Sequence, residues 1–322
     1  MAALRVVFMG TPDFSVPALD ALCADPSFQV VGVYTQPDRP TGRGLQTVPP
    51  PVKKAALEKG LPVFQPEKLT LPGEFEKLVA LNPDQIVVVA FGQILKKNVL
   101  ELPKKGCVNI HASLLPRWRG AAPIQRSILE GDAETGVTTM LMAEKLDAGD
   151  ILMKGTTPIG LEDTAQTLHD RLSKLGAELI LPTLKGLADG TLKSQKQNEA
   201  QVTYAEKLGK DMEGLDPALT ATVLDRRIRA LNPWPGTSVW VAGSGGATQR
   251  LKVKQARVHA GLKGASGQIF ERSGMVLMAT AQGCLELQRV QWDGRKEVDA
   301  AGFLNGLRGS GQQLPLEIRS KP

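Results

Sequence analysis

Short apolar runs alternate with amphipathic segments along the first two thirds of the chain. The apolar runs are rich in valine and continuous, which predicts buried strands, and the segments between them have helical periodicity. The predicted strands are Leu4–Phe8, Gln29–Thr35, Pro62–Phe64, Gln85–Phe91, the segment around Asn109 and His111, Val137–Met142 and Ile151–Thr157, and the predicted helices are Val16–Ala24, Val52–Lys59, Glu74–Leu81, Ala122–Glu130 and Thr164–Leu187. This alternation indicates an α/β fold with a Rossmann-like parallel sheet, whose ligands bind beyond the carboxyl ends of the strands.

The pattern changes after a polar segment, Lys193–Glu199. A helix is predicted over Ala218–Ala230, and short strands separated by glycines then indicate a small OB-like β-barrel. These strands are Ser238–Val241, Leu251–His259, Gly267–Phe270, Val276–Ala279 and Cys284–Val290. We therefore divide the chain into a first, Rossmann-like domain (residues 1–195), a linker (196–208) and a C-terminal barrel (209–322).

The charge is concentrated in the barrel. The 322 residues carry a net charge of +6, and the stretch from Arg226 to Phe270 has eight basic residues and no acidic one. A solvated basic face is one interpretation of this stretch. Contact with nucleic-acid phosphates is the interpretation that we favour, and the scarcity of aromatic residues argues for a folded RNA rather than stacked bases.

Other features of the sequence narrow the class of protein. The three cysteines are far apart, no His, Cys and carboxylate set has metal-ligand spacing, and no apolar run is long enough to cross a membrane. No signal peptide is recognisable, so we expect a cytoplasmic protein. The turn after the first strand, Gly10–Ser15, has a single glycine and a proline. This composition disfavours dinucleotide binding, which needs a glycine-rich turn at this place.

Asn109 and His111 are the first candidates for chemistry. Residues two apart on a strand share a face, so an amide that donates hydrogen bonds lies beside an imidazole that can exchange a proton. This pair suits acyl transfer, in which an oxyanion is stabilised while protons move. A buried structural histidine next to a turn-forming asparagine would give the same triplet, so the triplet alone leaves both interpretations open.

The residues around this triplet extend the pattern. A Ser-Leu-Leu-Pro turn and a basic Arg-Trp-Arg follow it, and Asp147 lies in the sequence Leu-Asp-Ala-Gly-Asp. The run from Asn109 to Ile151 resembles the formyltransferase family that uses 10-formyltetrahydrofolate, and the Gly-Thr-Pro-Asp-Phe turn at Gly10 is similar too. The resemblance implies a formyl donor co-substrate, no metal, a catalytic set of Asn109, His111 and Asp147, and a folate site formed by Ser113, Leu114, Leu115, Pro116, Phe91, Gly92, Ile94 and Leu95.

Within that family the chain resembles the methionyl-tRNA formyltransferases over nearly its full length. The similar segments are Asp38–Gly44, a Tyr204 linker motif and Asn232–Thr237. The resemblance implies that initiator methionyl-tRNA accepts the formyl group for translation initiation, and that Arg43, in the Pro- and Gly-rich loop Gln36–Pro51, contacts this tRNA. In the barrel we expect tRNA contacts from Arg226, Arg250, Lys252 and Lys254. We also expect a monomer that does not contact membranes.

Other functions remain open at this stage. Glycinamide ribonucleotide formyltransferases resemble only the first domain of this chain. Sugar-nucleotide formyltransferases and formyltetrahydrofolate hydrolase-type proteins share the same catalytic residues with other attachments. An RNA-binding protein that retains an inactive catalytic fold belongs to a different class, and the intact Asn109, His111 and Asp147 argue against it.

Overall fold

A computed structural model describes residues 3–41, 46–242 and 248–320. The chain divides into two compact units. The first consists of Met1–Pro123, Glu134–Pro158 and Leu168–Ala205, and the second of Ile124–Ala133, Ile159–Thr167 and Glu206–Pro322. No helix among the described residues is long and apolar enough to span a bilayer.

The strands of the first unit agree closely with the apolar runs of the sequence. They are β1 (Leu4–Gly10), β2 (Phe28–Tyr34), β3 (Arg39–Thr41), β4 (Gln46–Val48), β5 (Val63–Phe64), β6 (Gln85–Val89), β7 (Cys107–His111), β8 (Arg119–Gly120), β9 (Glu134–Leu141), β10 (Ile151–Pro158) and β11 (Tyr204–Ala205). The α-helices in the described residues of both units are α1 (Val16–Ala24), α2 (Pro51–Glu58), α3 (Glu74–Ala80), α4 (Lys97–Leu100), α5 (Pro123–Glu130), α6 (Ala165–Asp189), α7 (Ala221–Leu231) and α8 (Ala300–Gly309).

Seven strands form the central sheet, in the order β10-β9-β7-β6-β1-β2-β5. The five strands from β7 to β5 are parallel, as predicted. β9 runs antiparallel to β7, and β10 antiparallel to β9. The predicted parallel sheet is therefore confirmed for five strands, and the two strands at the β10 edge are antiparallel. Residues 142–150, which connect β9 to β10, are fewer than the roughly dozen residues that a parallel crossover needs.

The core of this unit explains the continuous apolar runs. All five residues of β6 are buried, as are Val6–Met9 on β1. Strands in the middle of a sheet that is covered on both faces cannot alternate apolar and polar residues without burying unpaired polar groups. Side chains of these strands pack in one cluster with Leu78 and Val99 of the helices.

The described part of the Pro- and Gly-rich loop Gln36–Pro51 contains two short strands that the sequence does not predict. β3 and β4 pair antiparallel, with Arg39 opposite Val48. Asp38 anchors the start of this ribbon, because the Lys53 ammonium and the Gln65 amide both bind its carboxylate at 2.7 Å. The predicted tRNA contact, Arg43, lies outside the described residues.

The second unit contains an antiparallel barrel with the strands β12 (Ser238–Ala242), β13 (Thr248–His259), β14 (Gln268–Arg272), β15 (Met275–Ala279), β16 (Cys284–Trp292), β17 (Val298–Asp299) and β18 (Leu316–Arg319). Their order is β13-β12-β18-β14-β15-β16-β17, and a further pairing of β13 with β16 closes the sheet. The predicted barrel is confirmed. β17, α8 and β18 are additions, since no element is predicted from the sequence after Val290.

Candidate active site

β7 lies inside the central sheet, between β6 and β9, and its carboxyl end carries Asn109 and His111. Asn109 is opposite Val88 on one neighbour and Met140 on the other. Apolar residues flank both polar ones along β7, so the strand is buried and holds the two side chains at the place where an α/β sheet binds ligands.

Two groups hold the buried imidazole of His111, which is 7% exposed. Its Nε2 is 2.9 Å from the carbonyl oxygen of Trp118, and its Nδ1 is 3.7 Å from Oδ2 of Asp147. Because a carbonyl oxygen only accepts, Nε2 carries a hydrogen in this arrangement. When the ring is neutral, Nδ1 therefore presents a lone pair to the carboxylate of Asp147. When the ring is an imidazolium, Nδ1 presents an N–H to that carboxylate.

The amide of Asn109 is only partly used by the protein. Its Nδ2 donates to the carbonyl oxygen of Val88 at 3.1 Å, which leaves one of the two amide hydrogens for another acceptor. Its Oδ1 is buried and has no hydrogen-bond partner within the described ranges. A buried polar atom without a partner is costly, and a ligand that donates a hydrogen bond would satisfy this one.

Asp147 reaches this site from the loop between β9 and β10. Its Oδ2 accepts a hydrogen bond from the backbone amide of Gly120 at 2.9 Å. Its backbone is left-handed, with a φ of 47°, which is uncommon for a residue with a side chain. The structure thus brings Asn109, His111 and Asp147 to one end of β7, as the resemblance implied.

The turn Ser113–Pro116 is fixed by hydrogen bonds and by packing. Thr138 on β9 donates its hydroxyl hydrogen to the carbonyl oxygen of Ser113 and accepts from the amide of Leu115. Leu115 is fully buried against Met140 and Ile151. Of the four residues only Leu114 and Pro116 are partly exposed, whereas Ser113 and Leu115 are fully buried, so Leu114 and Pro116 are the ones that a ligand can reach.

The segment after β6, residues 91–95, also combines buried with exposed residues. The side chains of Phe91 and Leu95 are part of the core, whereas Ile94 is 76% exposed. Gly92 is exposed and has a positive φ of 85°. Among the predicted folate residues of this segment, the side chain of Ile94 and the backbone of Gly92 are therefore the groups that a ligand can reach.

The predicted tRNA contacts of the barrel are partly neutralised by acids that lie elsewhere in the sequence. Arg250 bonds Glu213, and Lys252 is 2.6 Å from Asp293. The Lys252 ammonium holds the pKa of the Asp293 carboxyl below its usual range. Lys254 is half-buried, with no acidic partner within 4 Å in the described part of the chain.

Arg226 differs from these strand residues. It lies on α7 against the backbone of Gly131, where an added Cβ would come within 2.0 Å of its guanidinium carbon. A side chain on Gly131 would therefore displace the guanidinium of Arg226.

Neither a thiol nor a metal cluster competes with this site in the described residues. Burial raises the pKa of the Cys107 thiol to about 12, so this residue of β7 stays protonated. No group of three or more His, Cys, Asp or Glu side chains is placed to hold a metal ion within residues 3–41, 46–242 and 248–320.

The sequence did not reveal the backbone groups that complete the site. These are the carbonyl of Trp118 and the amide of Gly120, which hold His111 and Asp147. Backbone groups leave no signature in residue type. The one related signal was the pair of polar residues Thr138 and Thr139, which are fully buried and lie inside the predicted strand Val137–Met142, whose other residues are apolar.

Comparison with known families agrees with this geometry. Residues 4–184 match the family described as formyl transferase, and residues 207–308 match the formyl transferase C-terminal domain. The chain therefore belongs to the formyl transferase family. Both predicted parts of the chain, the α/β domain and the β domain, correspond to a domain of that family.

Solved structures show the same fold. HypX from Aquifex aeolicus in complex with tetrahydrofolic acid has a TM-score of 0.61 and 17% identity, over 99% of this chain and 51% of that chain. An N-formyltransferase from Helicobacter canadensis in complex with folinic acid and dTDP-3-aminofucose has a TM-score of 0.63 and 18% identity, over 88% and 99% of the two chains. WlaRD, a sugar 3N-formyl transferase, has a TM-score of 0.64 and 17% identity, over 92% of this chain and 100% of that chain. The chain spans about half the length of HypX.

Proposed function

We propose that this protein transfers the formyl group of 10-formyltetrahydrofolate to the free amino group of methionine on initiator methionyl-tRNA. The observation that carries the formyl transfer is the convergence of Asn109, His111 and Asp147 at the carboxyl end of β7 in a member of the formyl transferase family. All three of the similar structures described above were determined with tetrahydrofolate or a formylated form of it, which supports a folate as the donor.

The reaction places one demand on Asn109. The neutral amine attacks the formyl carbon, a C–N bond forms, and the carbonyl electron pair moves to oxygen. The free hydrogen of the Asn109 amide is available to stabilise this oxyanion, and its unpartnered Oδ1 can accept an N–H of the incoming amine. An orphaned acceptor beside a spare donor therefore fits a substrate with a carbonyl and an amine.

The second demand is the movement of one proton. The bond from the formyl carbon to N10 breaks, its electron pair stays on N10, and this nitrogen takes up a proton while the attacking nitrogen loses one. His111 can accept or deliver that proton at Nδ1, where the carboxylate of Asp147 is 3.7 Å away and stabilises the imidazolium. The Trp118 carbonyl keeps the ring oriented through Nε2.

The choice of acceptor rests on the second unit. Its match to the formyl transferase C-terminal domain, together with the segments Asp38–Gly44, Tyr204 and Asn232–Thr237, supports tRNA. The similar structures that bind dTDP-linked sugars support a second candidate, an amino group on a nucleotide-linked sugar. We favour tRNA because the barrel has exposed or half-buried cations without acidic partners in the described residues, such as Lys254.

A single assay tests both levels of the proposal. The protein is incubated with 10-formyltetrahydrofolate and either methionyl-charged initiator tRNA or a dTDP-linked amino sugar, and the formylated product is identified by mass spectrometry. We expect product with the tRNA, and product formation about 10²–10⁴-fold slower with the His111→Ala variant. If product forms only with the dTDP-linked amino sugar, the acceptor is the sugar and not the tRNA. If product forms with neither acceptor, formyl transfer is refuted.

A further inference from the structure

The guanidinium of Arg119 is fully buried, and Gln197 links it to the loop that carries Asp147. A buried charge persists only when it is paired and hydrogen-bonded. Glu199 supplies the opposite charge, with its two carboxylate oxygens 2.7 and 3.4 Å from the guanidinium nitrogens. This contact holds the pKa of the Glu199 carboxyl below its usual range. The remaining bond runs from Nε of Arg119 to Oε1 of Gln197, at 3.0 Å.

Gln197 connects this guanidinium to the loop that carries Asp147. Its Nε2 donates to the carbonyl oxygens of Asp147 and Gly149, both at 2.8 Å. The amide cannot be turned over, since this would set its oxygen against two carbonyl oxygens and its NH2 group against the Nε–H of Arg119. The buried charge therefore determines which way the Gln197 side chain faces.

The loop needs such a clamp because its backbone is constrained at two places. Asp147 is left-handed, and a Cβ on Gly149 would come within 1.7 Å of the Leu141 carbonyl oxygen. A residue in a sparsely populated conformation persists when its surroundings hold it there. The two donations from Gln197 fall on the carbonyls of these two residues.

Arg119 is also linked to the site through the backbone of its two neighbours in the chain, Trp118 and Gly120. The Trp118 carbonyl accepts from His111, and the Gly120 amide donates to Asp147. The contacts thus close a ring that runs from His111 through residues 118–120 to Gln197, then to Asp147 and back to His111.

We propose that Arg119 and Gln197 are positioning residues, which set the distance between the imidazole of His111 and the carboxylate of Asp147. Neither side chain contacts a reacting atom. Gln197 acts on the Asp147 backbone, and Arg119 acts by fixing the Gln197 amide. The inference rests on the proposed function only where it concerns turnover, since the ring of contacts can be tested without a substrate.

The first test measures amide hydrogen exchange at Gly120 by NMR. Gln197→Met keeps the length of the side chain and removes both donors, so we expect Gly120 to exchange at least about tenfold faster as Asp147 leaves its place. Gln197→Glu also removes both donors but keeps an oxygen that accepts from Nε of Arg119, so the guanidinium stays paired. We expect the same acceleration of Gly120 exchange in this variant, which would show that the lost donors cause it. The matched control is Ser194→Ala, which removes a bond to Asp150 on the same loop. Unchanged Gly120 exchange in the folded Gln197 variants would overturn the inference.

The second test is a double-mutant cycle in kcat. A displacement of about 1 Å can cost about 10²-fold in rate, so Gln197→Met should lower kcat by that order with little change in KM. If Gln197 acts through Asp147, the same substitution in an Asp147→Asn background should cost less than about threefold. Losses that multiply would overturn the inference. A wild-type protein that formylates neither acceptor, with the Gly120 exchange still responding, would instead refute the proposed function.

Discussion

The turns around His111 and the basic strand of the barrel both carry polar side chains, but they hold them differently. At the site, His111 and Asp147 are each bonded to a backbone group, the Trp118 carbonyl and the Gly120 amide. On the barrel, Lys252 is paired with the exposed side chain of Asp293. Backbone partners fix an atom within a few tenths of an ångström, whereas exposed ion pairs reorganise at little cost. The first arrangement suits chemistry, and the second suits a polyanion that is recognised by charge.

The largest effect should follow from removing the imidazole. We expect His111→Ala to lower kcat by about 10²–10⁴-fold, the usual contribution of a positioned acid or base. Steady-state formylation at saturating tRNA measures it. The affinity for tRNA should not change, and a comparable loss of tRNA binding would show that the two regions are not separate in function.

Next in size is the effect of the packing beneath the turn Ser113–Pro116. Leu115→Ala removes a fully buried side chain and should lower the free energy of unfolding by about 2–5 kcal/mol, as measured by urea denaturation. Because Leu115 belongs to the turn, kcat of the folded protein should fall as well. The control is Leu285→Ala in the barrel core, which should lose similar stability without a loss in kcat. Equal kcat values for the two variants would contradict this distinction.

A smaller effect should come from the charges of the barrel, with opposite signs for opposite residues. Lys254→Ala removes a cation and should weaken tRNA binding several-fold, with a decrease of about one in the slope of log affinity against log salt. Asp293→Asn releases Lys252 and should strengthen binding by a similar factor. Filter binding at several salt concentrations measures both. If the two variants change affinity in the same direction, charge alone does not govern this surface.

The smallest effect concerns pH. The Lys252 contact lowers the pKa of Asp293 in the folded state below its unfolded value of about 3.9, so this carboxylate stabilises the fold at higher pH. The contribution is lost as the pH falls below about 4, through the folded-state pKa. Asp293→Asn should therefore reduce the loss of thermal stability on acidification, as seen in melting curves between about pH 5 and pH 3. A melting profile parallel to that of the wild type would show that the pair contributes nothing.

The sheet was predictable where burial alone decides the structure. The valine-rich runs at β1 and β6 lie in the middle of the sheet, because only a central strand buries both of its faces. The direction of β9 and β10 was not predictable, since apolar patterning is the same for parallel and antiparallel strands and only the short connection distinguishes them.

The site was predictable in part, for a related reason. The spacing of Asn109 and His111 on a strand places them on one face whatever the fold. Asp147 lies 36 residues after His111 in the sequence, and the resemblance to a family linked them where spacing could not. Gln197 stood in a polar segment with the composition of a linker, and nothing in its neighbours indicated a buried amide.

The segment from Gln195 to Ala205 limits where the protein can be truncated or joined to a relative. Gln195 forms a two-way backbone bridge with Ile151 at the start of β10, and β11, at Tyr204–Ala205, pairs with β8. A shortened protein that stops at residue 195 would therefore lose a strand partner and the counter-charge of Arg119. Chimeras that exchange the barrel between relatives should join the two parts after residue 205, where the first unit has closed.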